Sequence, residues 1–194
     1  MRTLRVSKAL VDTTDLTPLL PYVTWHANSR YFNLLSGTEH YRLCAYLSTL
    51  FDNETVVDIG TYLGMSAMAL SYNTACKVVT FDVLDCVGKT APTLRTNVTF
   101  KIENILDDIK AYLDCPLMLL DTEHDGLFET AFIQRLGELH YRGIVICDDI
   151  NLNNDMRKFW RSIPHKTVDL TSVGHWSGTG AIVFDPEFLD IECT

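Results

Sequence analysis

The stretch from Thr55 to Leu70 constrains the fold of this chain most strongly, because its structural pattern changes within a few residues. It runs T-V-V-D-I-G-T-Y-L-G-M-S-A-M-A-L. The β-branched residues up to Ile59 are typical of a buried strand, and the Met, Ala and Leu residues after Gly64 favour a helix. A strand, a glycine turn and a helix begin a nucleotide-binding α/β unit. Glycine lets a ligand approach the backbone, and the first N–H groups of the helix suit a carboxylate or phosphate.

The composition is that of a globular protein, with 47% hydrophobic and 21% charged residues among 194. A net charge of −9 disfavours binding to nucleic-acid phosphates or to an anionic membrane surface. No apolar run approaches the roughly 20 residues of a membrane-spanning helix. The six cysteines include no C-x-x-C pair, so we predict reduced thiols and a cytoplasmic location. Neither nucleic acid nor membrane is an expected partner, and a homo-oligomer is left open.

Short apolar segments separated by helical patterns predict an α/β fold, with a mostly parallel, seven-stranded, Rossmann-like sheet and helices on both faces. The last two strands have no helix between them and should therefore be antiparallel. The predicted strands are 55–59, 77–81, 98–102, 117–120, 144–147, 166–170 and 181–184. The predicted helices cover 39–50, 105–113, 127–139 and 156–163, and a further one begins at Met65.

The beginning of the chain has no comparable pattern. Prolines and scattered Thr and Asp residues predict an irregular lead-in or lid over residues 1–30. Either Ser36 or Thr38 is expected to cap the first predicted helix. We therefore place a lead-in segment at 1–38 and the cofactor-binding domain at 39–194.

Polar residues recur at or just after the carboxyl ends of the predicted strands. They are Asp58, Gly60, Asp82, Asn104, Asp121, Asp148 and Asp149. Ligands of open α/β sheets bind along that edge, so the set predicts one shared site. The alternative is that individual Asp and Asn residues only start turns or cap helices.

Asp82 follows the second predicted strand, where a carboxylate can accept hydrogen bonds from both hydroxyls of a ribose. The glycine loop has the spacing G-x-x-x-G and lacks the G-x-G-x-x-G pattern that turns tightly around a pyrophosphate. This spacing disfavours a nicotinamide dinucleotide and favours a nucleoside ligand without a diphosphate.

On these residues the chain resembles the class I S-adenosylmethionine-dependent methyltransferases over about 39–184, and D-I-G-T-Y-L-G-M-S-A is similar to their glycine-rich first motif. The resemblance implies a set of cofactor-binding residues: Asp58, Gly60, Thr61, Tyr62, Gly64, Ser66, Asp82, Asn104 and Asp121. Ser66 would bind the carboxylate of the cofactor, Asp82 its ribose and Asn104 its adenine.

A narrower resemblance is to the metal-dependent O-methyltransferases of the catechol and macrolide-sugar types. It implies that Asp121, in L-L-D-T-E-H-D-G, and the pair Asp148 and Asp149, in V-I-C-D-D-I-N, bind a metal. Two carboxylates 4 Å apart repel by about 4 kcal/mol at an effective dielectric constant of 20, so three need protons or a cation. Carboxylate oxygens suit Mg²⁺, which lowers the pKa of a bound hydroxyl. The alternative is that Asp149 turns outward and caps the next helix.

Three further residues are candidates for roles near the acceptor. His124 completes a D-x-x-H pattern with Asp121, and both are candidate catalytic residues. The imidazole would act as a general base, orient Asp121 or contact the cofactor. His175 and Trp176, in the loop G-H-W-S-G-T-G, either line the acceptor pocket or belong to a plain loop.

The sequence therefore predicts a Mg²⁺-assisted, S-adenosylmethionine-dependent O-methyltransferase acting on a small hydroxylated acceptor. One alternative is a nicotinamide-dependent oxidoreductase, against which the loop spacing argues. Another is a methyltransferase-like fold that binds without methylating or performs other metal chemistry, as in relatives of cephalosporin hydroxylase.

Overall fold

The computed structural model describes residues 1–23, 32, 35–87 and 95–194. The strands are β1 Arg2–Val6, β2 Thr55–Ile59, β3 Lys77–Asp82, β4 Val98–Ile102, β5 Leu117–Leu120, β6 Ile144–Cys147, β7 Lys166–Asp169, β8 Gly180–Val183 and β9 Leu189–Cys193. The α-helices are α1 Lys8–Asp12, α2 Leu35–Ser48, α3 Met65–Leu70, α4 Ile105–Asp108, α5 Leu127–Glu138 and α6 Asn154–Ser162. Two 3-10 helices cover Thr17–Tyr22 and Ile109–Tyr112. No helix in these ranges is long and apolar enough to cross a membrane.

Seven strands form one sheet in the order β4-β3-β2-β5-β6-β8-β7. The strands β4, β3, β2, β5 and β6 are parallel to one another, whereas β8 is antiparallel to both β6 and β7. This confirms the predicted Rossmann-like sheet with its antiparallel pair. The chain runs outward from β2 to β4 on one side and from β5 to β6 on the other. The topological switch point therefore lies between β2 and β5, where ligands bind in such sheets.

Successive residues of the central strands contribute to different hydrophobic cores. Val56 and Leu117 pack in the core that contains α2 and α3. Val57 and Met118 pack in the core that contains α5 and α6. Because both faces are covered, β5 and β6 consist of buried apolar residues only, without alternating polar residues.

The expectation of an irregular lead-in is wrong for most of its described part. β1 pairs in parallel with β9, in a separate two-stranded sheet with Leu4 opposite Ile191. Leu4 and Val11 are both buried, so β1 and α1 contribute to the core. The strand was missed because it is short and its partner is at the opposite end of the chain. The domain boundary at residue 38 stays a prediction.

The start of α2 also differs from expectation. The helix begins at Leu35, so Thr38 lies inside it and is not its N-cap. The Thr38 hydroxyl donates instead to the carbonyl oxygen of Phe32, at 3.3 Å. The side chain of Ser36, the other predicted cap, lies outside the described residues.

Candidate functional site

The carboxyl ends of β2, β3, β4 and β5 surround a cavity of about 540 Å³, which we call the wide cavity. This volume is typical of small-molecule sites. Predicted site residues in its wall are Gly60, Tyr62, Asp82, Asn104, Asp121 and His124. The fold therefore brings residues from four strand ends to one crevice at the switch point.

Gly60 lies where the ends of β2 and β5 meet. Its φ is +99°, which favours glycine, and a Cβ atom there would overlap the carbonyl oxygen of Asp121. Gly64 has a φ of +76° and precedes α3, and its Cβ would lie 3.4 Å from the ring of Phe100. Backbone conformation and close packing thus account for both glycines without a ligand.

Asp82 connects the end of β3 to the glycine loop. Its Oδ2 accepts a 2.7 Å hydrogen bond from the N–H of Tyr62, and its Oδ1 accepts one of 2.9 Å from the N–H of Leu84. These bonds hold the carboxylate at the wall of the wide cavity. Each oxygen has a second lone pair, with which it can accept a hydrogen bond from a ligand hydroxyl.

Asp58 is placed differently from the other predicted residues. It is fully buried and does not line the wide cavity. Its Oδ2 accepts a 2.6 Å hydrogen bond from Thr80, whose hydroxyl is 2.5 Å from that of Thr61. Burial raises the pKa of Asp58 to about 7, although hydrogen bonds from Thr80 and Ser66 oppose the shift. Asp58 therefore supports the loop from below instead of facing the crevice.

Thr61 and Ser66 line a smaller pocket of about 200 Å³ beside the glycine loop. Tyr41 and Asp121 also line this pocket. Because Asp121 also lines the wide cavity, the two spaces are neighbours. The small pocket can thus hold one end of a ligand that extends into the wide cavity.

Asn104 begins α4 as its N-cap. Its Oδ1 accepts a 3.0 Å hydrogen bond from the N–H of Leu106. Asn104 therefore does cap a helix, which is the alternative role expected for Asp and Asn residues at strand ends. Asn104 still lies in the wall of the wide cavity, next to Glu103 and Ile105.

The three carboxylates of the predicted metal site line one pocket of about 330 Å³, which we call the acidic pocket. They are Asp121, Asp148 and Asp149. Asp149 does not cap α6, because Asn153 does so by accepting hydrogen bonds from the next turn. The three carboxylates thus lie together, as expected from the sequence. The metal ion that they would bind stays a prediction.

His124 contacts two of these carboxylates. Its Nε2 lies 3.2 Å from Oδ1 of Asp121 and 3.6 Å from Oδ2 of Asp149. Burial lowers the pKa of His124, but the hydrogen bond and charge of Asp121 outweigh it and raise the pKa to about 9. His124 is therefore mainly protonated at neutral pH when the pocket contains only protein groups.

Two more histidines face the acidic pocket. Nδ1 of His40 lies 3.4 Å from Oδ1 of Asp148, and Nδ1 of His175 lies 3.1 Å from Oδ1 of Asp149. Burial raises the pKa of Asp148, but the charges of His40 and His175 lower it below its usual value. Imidazoles thus supply part of the positive charge that the clustered carboxylates require.

The sequence left open whether His175 lines a pocket or belongs to a plain loop, and it contained no signal for His40. His40 belongs to α2, and only the packing of α2 places it beside Asp148. Trp176 lies at the rim of the acidic pocket with 69% of its surface exposed. The loop before β8 is therefore part of the pocket wall.

Solved structures share this architecture over most of their length. The methyltransferase PaMTH1 of Podospora anserina, solved with bound S-adenosylhomocysteine, has a TM-score of 0.61 at 16% identity, covering 87% of this chain and 88% of that one. A Klebsiella pneumoniae protein provisionally described as an O-methyltransferase has a TM-score of 0.61 at 16% identity, with coverages of 91% and 94%. TomG of Streptomyces achromogenes, an O-methyltransferase of tomaymycin synthesis solved with S-adenosylmethionine, has a TM-score of 0.58 at 18% identity, with coverages of 86% and 89%.

The chain therefore has the fold of the class I S-adenosylmethionine-dependent O-methyltransferases, as the sequence motifs predicted. No protein-family model matches the sequence, and no curated protein sequence does. At identities below one fifth the likeness establishes the fold, and the activity has to follow from the site.

Proposed function

We propose that this protein is an S-adenosylmethionine-dependent methyltransferase that methylates a hydroxyl group of a small molecule, with a divalent cation beside the acceptor. The observation that carries the proposal is the position of Asp121, which lines both the wide cavity and the acidic pocket. A methyl donor in the first space and an acceptor oxygen in the second would meet at this residue. Holding two reactants in line can supply about 7–11 kcal/mol of a reaction barrier.

The wide cavity and the small pocket beside it suit the cofactor. Asp82 would accept hydrogen bonds from the ribose hydroxyls, and Asn104 lies where adenine would be bound. Ser66, in the pocket beside the glycine loop, is the candidate for the cofactor's carboxylate. The neighbours PaMTH1 and TomG, solved with S-adenosylhomocysteine and S-adenosylmethionine, support this choice of ligand.

His124 has a proposed role that follows from its contact with Asp121. Nε2 of His124 lies 3.2 Å from Oδ1 of Asp121, and this contact supports the role that orients Asp121 among the roles expected from the sequence. The imidazolium also offsets the charge of Asp149, to which it lies close.

The acidic pocket has donors that fit a divalent cation. Asp121, Asp148 and Asp149 would hold it through carboxylate oxygens, as expected for Mg²⁺. When bound, a cation would supply Lewis-acid chemistry that lowers the pKa of an acceptor hydroxyl. The small acceptor and Mg²⁺ itself stay predictions, as do a cytoplasmic location and any homo-oligomer.

Calorimetry with S-adenosylhomocysteine tests the proposal. We expect micromolar binding to the wild type and its loss in Asp82→Ala. Asp114→Ala is the matched control, because Asp114 is an exposed carboxylate before β5, at the opposite edge of the sheet. Equal binding by all three proteins would contradict the assigned cofactor site. Binding of NADH in place of S-adenosylhomocysteine would instead support the oxidoreductase alternative.

A further inference from the structure

We propose that the acidic pocket binds a transition-metal ion through Nδ1 of His40 together with carboxylate oxygens of Asp121 and Asp148. The proposal deepens the function above and depends on its cation. Each of these three side chains offers one ligand atom, and the three atoms lie within 4.8 Å of one another. Asp148, Asp149 and His175 form a second set of this kind, which shares Asp148.

His40 provides an independent reason to expect a ligand here. Its side chain is only 7% exposed, and its Nδ1 has no hydrogen-bond partner among the residues that the structure describes. The nearest acceptor, Oδ1 of Asp148, is 3.4 Å away. A buried polar atom without a partner is costly, and a bond to a metal ion would satisfy it.

The other ring nitrogen of His40 has a neighbour of its own. Nε2 lies 3.9 Å from Sγ of Cys44, one turn further along α2. A metal-binding imidazole usually uses one nitrogen for the ion while a hydrogen bond to the other fixes the ring. The contact with Cys44 thus leaves Nδ1, the nitrogen that faces the carboxylates, for the ion.

The mixed donor set determines the class of metal. Mg²⁺ prefers oxygen ligands only and retains several waters. Imidazole nitrogen combined with carboxylate oxygen suits Mn²⁺, Fe²⁺, Co²⁺ or Zn²⁺ better. The protein-only alternative is that His40 and Asp148 form a buried ion pair without any metal.

Pulsed electron paramagnetic resonance of bound Mn²⁺ separates these possibilities. Wild-type protein carrying ¹⁵N-labelled histidine is compared with unlabelled protein, so that the main test requires no mutation. We expect nitrogen coupling to Mn²⁺ that changes with the label. We also expect His40→Gln to lose a histidine coupling and to bind Mn²⁺ at least tenfold more weakly. His140→Asn, a change of an exposed histidine with a φ of +55°, should keep both.

Bound Mn²⁺ without nitrogen coupling would overturn the proposal and favour an all-oxygen site. A wild-type protein that binds no Mn²⁺ would overturn it as well and favour the ion pair. An unchanged coupling in His40→Gln would remove His40 from the site. Calorimetry with S-adenosylhomocysteine on the same samples tests the methyltransferase assignment separately, because His40 and Asp148 do not line the wide cavity.

Discussion

The backbone N–H of Tyr62 donates a 2.7 Å hydrogen bond to Oδ2 of Asp82. This bond joins the glycine loop after β2 to the end of β3, in the wall of the wide cavity. The carboxylate that we assign to the ribose thus also fixes the loop that we assign to the methionine part of the cofactor. Removing this carboxylate should therefore weaken the binding of both parts of the cofactor.

We expect Asp82→Asn to weaken binding of S-adenosylhomocysteine at least tenfold. An amide has one acceptor oxygen, so it cannot serve Tyr62, Leu84 and a ribose as the carboxylate does. Loss of a backbone hydrogen bond should also lower the free energy of unfolding by about 1 kcal/mol. Calorimetry and urea denaturation measure the two effects, with Asp114→Asn as control. Wild-type affinity in Asp82→Asn would contradict the ribose assignment.

The buried carboxyl of Asp58 should make stability depend on pH. Its pKa rises from 3.8 to about 7 on folding, so the folded state holds the proton more tightly. Its contribution to stability is therefore complete below about pH 4 and is lost as the pH rises towards 7. The variant Asp58→Asn lacks this pH-dependent contribution. Its free energy of unfolding, relative to that of the wild type, should therefore rise by about 3 kcal/mol between pH 5 and pH 8.

Urea denaturation of both proteins at the two pH values measures that difference, and a constant difference would show that Asp58 does not titrate as described. Because Asp58 lies outside the wide cavity, we expect Asp58→Asn to bind S-adenosylhomocysteine within twofold of wild type. A large loss of affinity would restore Asp58 as a cofactor contact.

The two glycines of the loop should differ in their tolerance of alanine. In Gly60→Ala the new Cβ meets the backbone of Asp121, which cannot move without disturbing β5. In Gly64→Ala it meets the ring of Phe100 at 3.4 Å. In both variants the left-handed conformation costs alanine about 1–2 kcal/mol. Only Gly60→Ala adds a severe clash. We expect Gly60→Ala to be the less stable by several kcal/mol in urea denaturation; equal stabilities would contradict the close strand contact.

Asp148→Ala should abolish binding of a divalent cation while leaving the cofactor in place. Asp148 belongs to both groups of ligand atoms in the acidic pocket and is absent from the wall of the wide cavity. Calorimetric titration with Mg²⁺ and Mn²⁺, alongside S-adenosylhomocysteine, checks the two parts. Asp114→Ala is again the control. A metal titration identical to that of the wild type would exclude Asp148 as a ligand.

Local sequence signals determined the frame of this protein. Short β-branched or apolar runs ending in Asp or Asn predicted β4, β5 and β6 at their observed bounds. Those signals suffice because strand formation and turning depend on neighbouring residues, and parallel strands bring their carboxyl ends to one edge. The same reasoning brought Asp82 and Asp121 to the wide cavity, and Asp121 and Asp148 to the neighbouring acidic pocket.

Tertiary structure alone decided which side chains meet within that frame. β1 pairs with β9 from the opposite end of the chain, and no local pattern specifies such a partner. Asp58 follows the same strand-end rule as Asp82, yet it points into the protein and not into the crevice. His40 reaches Asp148 only because α2 packs beside the ends of the strands. These outcomes depend on packing and burial across the whole domain, which act on residues far apart in the sequence.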